Sequence, residues 1–307
     1  MTARKLFVLD APSNLGLTPP AAGLIPGCYK LPWALRDRDL VRRIDGVDAG
    51  CVVPPRYDPT WTPGSGDRNA AAIADYSRLL ADRVDRAIEG GARLLALGGD
   101  CSILIGNMLA LRRRGRFGLV FLDAHSDYRH PGNSDRIGAA AGEDLAIVTG
   151  KGDGRLVDLE GRSPYVRLED VHVVGVRPDD EYLGELRSSR IATTTSREIT
   201  SGGAQGVVEE VLETVTRSTE GFWVHFDADA IDSDEVWAVD SPGGPGPSLA
   251  TLGAIVHRLF LSPKCVGMEL TVFDPDLDPD GTQSDRLTEA LVRALATNSD
   301  EPEVQRS

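Results

Sequence analysis

Three observations predict an α/β fold built on a parallel sheet. Short apolar runs of strand length alternate with longer stretches whose apolar residues recur at helical spacing. Four of the apolar runs end in residues able to bind a metal ion or a polar substrate, and parallel sheets carry their sites at strand carboxyl ends. The chain has 307 residues, 41% of them hydrophobic, which is enough to build a large core around such a sheet.

The elements follow in order. Residues 5–10 (KLFVLD) read as the buried strand that opens the sheet. The stretch to residue 67 is rich in Pro and Gly, including PRYDPTWTPGSGD, and reads as loop with one short helix near 33–44. Ile73, Tyr76, Leu80, Val84 and Ile88 then mark a helix, with Asp67 or Asn69 as its cap and Gly90 and Gly91 as its stop. A strand at 93–97, a helix at 103–113 and a strand at 119–122 come next. After them are a strand at 171–176, a helical pattern at 181–188, and a helical stripe through Val207, Val208, Val211, Leu212 and Val215. A strand at 222–226 precedes the stripe Leu249, Leu252, Ile255, Val256, Leu259 and Phe260, which Ser248 caps. A strand at 266–270 and an acidic loop at 274–281 follow. No internal repeat is visible. The expectation is a single domain over residues 1–307, with a polar, flexible tail at 298–307.

Composition narrows the class. The formal net charge is -14, with 47 acidic and 33 basic residues, so a nucleic-acid partner is not expected. An acidic surface suits a small cationic substrate or a divalent metal, and suits plain solubility equally well. Cys28, Cys51, Cys101 and Cys265 are widely spaced and form no CxxC pair, so no disulfide framework is expected. No run approaches a membrane span and the first residues lack an apolar signal core, so a cytoplasmic protein with no membrane partner is expected.

The chemistry lies at the strand ends. The segments are LALGGDCS with Cys101, VFLDAHSD with Asp123, His125 and Asp127, WVHFDADAID with Asp227 and Asp229, and VGMELTVFDP with Glu269. Taken singly, each has an ordinary structural reading: a DxD is often a solvated turn, and a lone Cys is more often a small buried hydrophobe. Together they would bring five carboxylates close to one another, which repel strongly unless cations neutralise them. Two divalent ions are therefore expected. Carboxylates with one imidazole suit Mn²⁺ and tolerate related ions.

The ordered set GGDCS, DAHSD, FDADAID and GMELTVFDP resembles the ureohydrolase (arginase/agmatinase) family, whose pattern is GGDHS, DAHxD, DxDxxD and a late glutamate. The opening DAPSNLGL, the VVGVR strand and the PGGPG turn are also similar to bacterial members. The resemblance covers residues 5–297 and implies a three-layer α/β/α sandwich with a parallel sheet of about eight strands. It implies that Asp123 and Asp227 bridge two metals, that Cys101 and Asp127 complete one ion's shell, and that His125 and Asp229 complete the other's. It further implies that a hydroxide held between the ions attacks a guanidinium carbon, with Asp127 accepting a hydrogen bond from it. Glu269 is expected to pair with the guanidinium, and Asp179, Asp180 or Glu181 to bind the substrate's α-amino end. Urea or a urea analogue and an amine would be released. A trimer or hexamer is expected by the same resemblance.

Two departures stand out. The histidine of GGDHS is Cys101 here, and a softer thiolate opens that position to Zn²⁺ or Fe²⁺. The His-Gly that often follows DAHxD is Ala141-Gly142, leaving His130 or Glu143 as alternative proton carriers. Members acting on N-hydroxylated arginine are similar at the Cys position. The favoured function is hydrolysis of a guanidino or N-hydroxyguanidino compound. The alternatives are ordinary arginase or agmatinase activity, or a member that binds metal or ligand without turnover.

Overall fold

In the computed structural model, which describes residues 4–296, eight strands form one sheet in the order β2-β1-β3-β8-β7-β4-β5-β6. The strands are β1 (Leu6–Asp10), β2 (Val47–Cys51), β3 (Arg93–Leu97), β4 (Phe117–Leu122), β5 (Val171–Val174), β6 (Ala192–Thr194), β7 (Gly221–Asp227) and β8 (Cys265–Thr271). Every pairing within the sheet is parallel. The helices are α1 (Leu31–Arg36), α2 (Leu40–Arg43), α3 (Ala70–Ala87), α4 (Ile103–Arg114), α5 (Asp144–Val148), α6 (Leu183–Ser188), α7 (Ser196–Thr216), α8 (Leu249–Leu261) and α9 (Thr282–Leu295). The expected tail at 298–307 lies outside the described residues.

The central strands read as unbroken apolar runs because both of their faces are covered. Alternation divides each strand between two cores. Leu95 and Leu97 of β3 and Val120 and Leu122 of β4 join the residues of α1, α7, α8 and α9. Leu94 and Ala96, with Leu119 and Phe121, join those of α3, α4, α5 and α6. Helices on both faces give the expected three-layer sandwich. Among the described residues no helix is long and apolar enough to cross a membrane.

Most boundaries agree with the sequence reading to within a few residues, and the differences have local causes. The edge strand β2 (VDAGC) is largely exposed and holds a Gly, so it carries no apolar signal. Strand β6, at the other edge, is only three residues long. Helix α7 extends well before Val207. Its first part is hidden by Gly203, whose backbone leaves the helical region, but it begins at a capping box formed by Thr195 and Glu198. Helix α9, which the sequence reading lacks, packs on α8 with Leu287, Leu291 and Leu295 buried. The expected helix at 33–44 is two short ones, separated by Asp39 at φ 58°.

Strands β3, β8, β7 and β4 are consecutive in the sheet although distant in the chain. Chain order reverses across them, so their carboxyl ends form the crevice where such sheets bind ligands.

Candidate metal centre and active site

Each ligand segment is set by the strand that precedes it. After β3 the chain turns sharply at Gly98 and Gly99. A side chain at Gly99 would overlap the Ser13 backbone, so this close approach requires glycine. Asp100 ties the turn together. Its buried carboxylate accepts bonds from the Ser13 hydroxyl at 2.7 Å and from the Ser102 and Gly16 amides at 2.8 and 3.2 Å. That turn delivers Cys101 to the sheet's end. Its Sγ lies 2.7 Å from Asp227 Oδ2 and 3.3 Å from Thr271 Oγ1.

The segment after β4 curls over the neighbouring strand end. The His125 amide donates to Asp123 Oδ1 at 2.7 Å, and His125 Nδ1 lies 3.0 Å from Asp229 Oδ2. Asp127 has φ 42°, a left-handed backbone that sharpens the turn. At the end of β7, Asp227 Oδ1 accepts from the Asp229 amide at 2.8 Å, and Asp229 Oδ1 accepts from the Ala124 amide at 3.2 Å. Two groups of possible metal ligands result. Cys101, Asp123, His225 and Asp227 have ligand atoms within 4.8 Å of one another, and so do Asp123, His125 and Asp229. Asp123 belongs to both.

The electrostatics fit cations. Burial, then the charges of neighbouring carboxylates, raises the carboxyls of Asp127, Asp144 and Asp227 well above the usual range. Asp229 is raised by burial and by Asp123. Burial opposes protonation of His125, yet Asp123 and Asp229 outweigh it and hold the imidazole up to about 12. The Cys101 thiol is pushed up by burial and by Asp227. Asp123 Oδ2 and His225 Nε2 are buried without a hydrogen-bond partner. Crowded carboxylates, bare buried donor atoms, imidazole and sulfur together form a set suited to divalent metal ions, and the residues present fit two of them.

This centre floors a cleft of about 640 Å³ lined by Cys101, His125, Asp127, Asp227 and Asp229. Asp179, Asp180 and Glu181 line it too, but they are differently committed. Asp180 accepts from the Ser126 and Tyr182 amides at 3.1 and 2.9 Å, and Glu181 pairs with Arg136. The lining also includes Arg129, Asp240 and Val272, which are not among the site residues expected from the sequence. Val272 has φ 70°, an unusual conformation for a β-branched residue, held by its amide bond to the Gly99 carbonyl at 2.6 Å. Arg177 braces the PGGPG turn. Its guanidinium donates to the carbonyls of Gly243 at 2.8 Å, Gly175 at 3.0 Å and Ala230 at 3.2 Å.

Glu269 stands apart from these residues: it is fully buried and outside the cleft lining. Its place in β8 is directly opposite His225 of β7, and its side chain shares that face of the sheet. One carboxylate oxygen lies 2.5 Å from His225 Nδ1 and the other is bonded by Asn107 of α4. His225 is not among the expected ligands, although its place two residues before Asp227 puts it on the same side of the strand. Neither alternative proton carrier lines the cleft. His130 is held by Glu185 at 3.0 Å, and Glu143 accepts from the Gly138 and Ala139 amides at 2.9 and 3.1 Å.

Known proteins agree with this architecture. The arginase of Staphylococcus aureus (strain MRSA252) is 28% identical over 302 residues, covering 91% of this chain and 93% of its own. The arginase of Bacillus caldovelox is 28% identical over 265 residues, covering 83% of each chain. Its native structure at pH 5.6 superposes with a TM-score of 0.86 and 25% identity, over 97% of this chain and 100% of that one. The sequence profile of the arginase family matches residues 30–297. With that match spanning most of the sheet and every strand-end segment of the metal centre, the chain belongs to the arginase family.

Proposed function

We propose that this protein is a binuclear-metal hydrolase that cleaves the C–N bond of a guanidino or N-hydroxyguanidino compound, releasing urea or a urea analogue and an amine. The observation that carries this reading is the convergence of Cys101, Asp123, His125, Asp227 and Asp229 at the strand ends, where all but the buried Asp123 line one acidic cleft. Cys101, Asp123, Asp127 and Asp227 would hold one ion, and Asp123, His125, Asp227 and Asp229 the other. When bound, divalent cations supply Lewis acidity, which makes water nucleophilic at neutral pH.

The chain's own residues do the rest. Asp127 lines the cleft beside the candidate ligands, so its carboxylate is placed to accept a hydrogen bond from the nucleophile. With Glu269 turned into the sheet, the counter-charge for a guanidinium falls to carboxylates that face the cleft. Asp179 and Asp240 fill that role better than Asp180 or Glu181, whose oxygens already bond the amides and arginine described above. Arg129 suits a carboxylate on the substrate's far end. Ala141 sits in the lining where the family often has histidine, so no imidazole is offered to the leaving group from that loop. Together with the thiol at position 101, this favours an N-hydroxylated guanidine over arginine or agmatine. Mn²⁺ is the proposed metal, with Zn²⁺ or Fe²⁺ as rivals at the sulfur-bearing position. A cytoplasmic homo-oligomer is proposed on family resemblance.

The test is product release, by mass spectrometry, from arginine, N-hydroxyarginine, agmatine and guanidino acids, using protein reconstituted with Mn²⁺. Urea or hydroxyurea from one of them supports the proposal. Full metal content without turnover of any would leave the non-catalytic alternative.

A further inference from the structure

We propose that His225 is a ligand of the metal centre and supplies the imidazole that position 101 lacks. The proposal rests on the metal-centre reading and adds a ligand to it. His225 is fully buried in β7, in register with Phe121 of β4 on one side and Glu269 of β8 on the other. Its ring stacks on Phe121 with centroids 4.5 Å apart and planes 14° apart. Nδ1 is engaged by Glu269 Oε1 at 2.5 Å, and Asn107 holds the second carboxylate oxygen. Asn107, Phe121, His225 and Glu269 are all 0% exposed. Three elements therefore clamp the imidazole in one orientation.

That orientation sends Nε2 into the centre. Its nearest carboxylate oxygen is Asp123 Oδ2 at 3.8 Å, too far for a hydrogen bond. Both atoms are buried and neither has another partner. Leaving buried polar atoms bare is costly, so a buried pair this close calls for something between them. Sγ of Cys101 and an oxygen of Asp227 complete a group whose ligand atoms lie within 4.8 Å of one another. A cation coordinated by Nε2 and Asp123 Oδ2 satisfies both. The carboxylate on the far nitrogen is the usual companion of a ligating histidine, because it fixes the tautomer and raises the basicity of the coordinating nitrogen. Glu269 and Asn107 are then positioning residues for His225. The centre keeps an imidazole at this ion, delivered by the strand and not by the Gly-Gly-Asp turn.

Reconstituting the full chain with Co²⁺ tests this, because a cobalt–thiolate bond gives a charge-transfer band that reports Cys101. His225→Gln should keep a shifted sulfur band while loosening the ion at that position at least tenfold in chelator competition. Glu269→Gln, which leaves the imidazole in place, should loosen it by about 10–100-fold. Extended X-ray absorption on the wild type should show imidazole at both ions, and it gives an answer even where a variant fails to fold. Asp123→Asn separates the two levels of inference. Loss of metal in Asp123→Asn, with wild-type affinity and spectrum in His225→Gln, would overturn the role of His225 alone and make it a core histidine bridging two carboxylates. Full metal content in Asp123→Asn would overturn the metal centre itself.

Discussion

Removing the cations should lower the melting temperature by an amount set by how many ions each side chain serves. Asp123 belongs to both groups of candidate ligands and Cys101 to one. An ion that binds only the folded chain stabilises it by about 2.7 kcal/mol when its free concentration is a hundredfold above its dissociation constant. Unfolding entropy is roughly 2.1 cal/mol/K per residue, about 0.65 kcal/mol/K for a chain of 307 residues. Each ion should therefore raise Tm by about 4 °C, and two ions by about 8 °C. Scanning calorimetry of chelator-treated protein, with Mn²⁺ titrated back and metal per chain measured in parallel, reads this directly. Wild type should gain the full amount, Cys101→Ala about half, and Asp123→Asn almost none. An Asp123→Asn gain equal to that of wild type would refute the shared-ligand reasoning. A full gain in Cys101→Ala would remove the thiol from the centre.

Other predictions use different parts of the molecule. Burial depresses the His172 imidazole to about 4, while its Nε2 stays 2.8 Å from Thr194 Oγ1. The unfolded chain takes up that proton near pH 6.5, so this contribution is complete above that pH. As pH falls towards 4, up to about 3 kcal/mol is lost. Urea denaturation across this range should show a shallower loss in His172→Gln, and identical slopes would count against the assignment. Asp240→Asn should raise KM for a cationic guanidino substrate about tenfold or more, since one charge-assisted hydrogen bond is worth about 1.5–3 kcal/mol; an unchanged KM would free Asp240 from substrate binding. Cys51 is half-buried whereas Cys28, Cys101 and Cys265 are buried. A thiol reagent should therefore modify Cys51 first in metal-free protein, with the other three reacting only on unfolding. Equal rates for Cys101 and Cys51 would contradict its burial.

Much of the architecture could be read from spacing. The strand at 93–97 matches β3, and Ser248 caps α8 by accepting from the Thr251 amide as its position suggests. These are local signals, set by side-chain period and cap chemistry within a few residues. Strands β2 and β6 were illegible because edge strands need little apolar surface. Helix α9 is a different case: Leu287, Leu291 and Leu295 are buried at helical spacing, so its signal is local and present in the sequence.

At the site, the sequence by itself determined which residue types end the strands, and in what order. The family follows from those motifs because strand-end ligands are contiguous in the chain. The partnership of Glu269 was decided only by tertiary structure. Its position near the end of a late strand is equally compatible with a carboxylate in the cleft or one folded against the sheet. The choice depends on register, which sets Glu269 opposite His225 and beneath Asn107, residues 44 and 162 positions away in the chain. Period-two alternation assigns a side chain to a face, but cross-strand pairing decides what it meets there. The same non-local pairing makes His225 part of the metal centre, because its bare nitrogen becomes visible only when β4, β7 and β8 lie side by side.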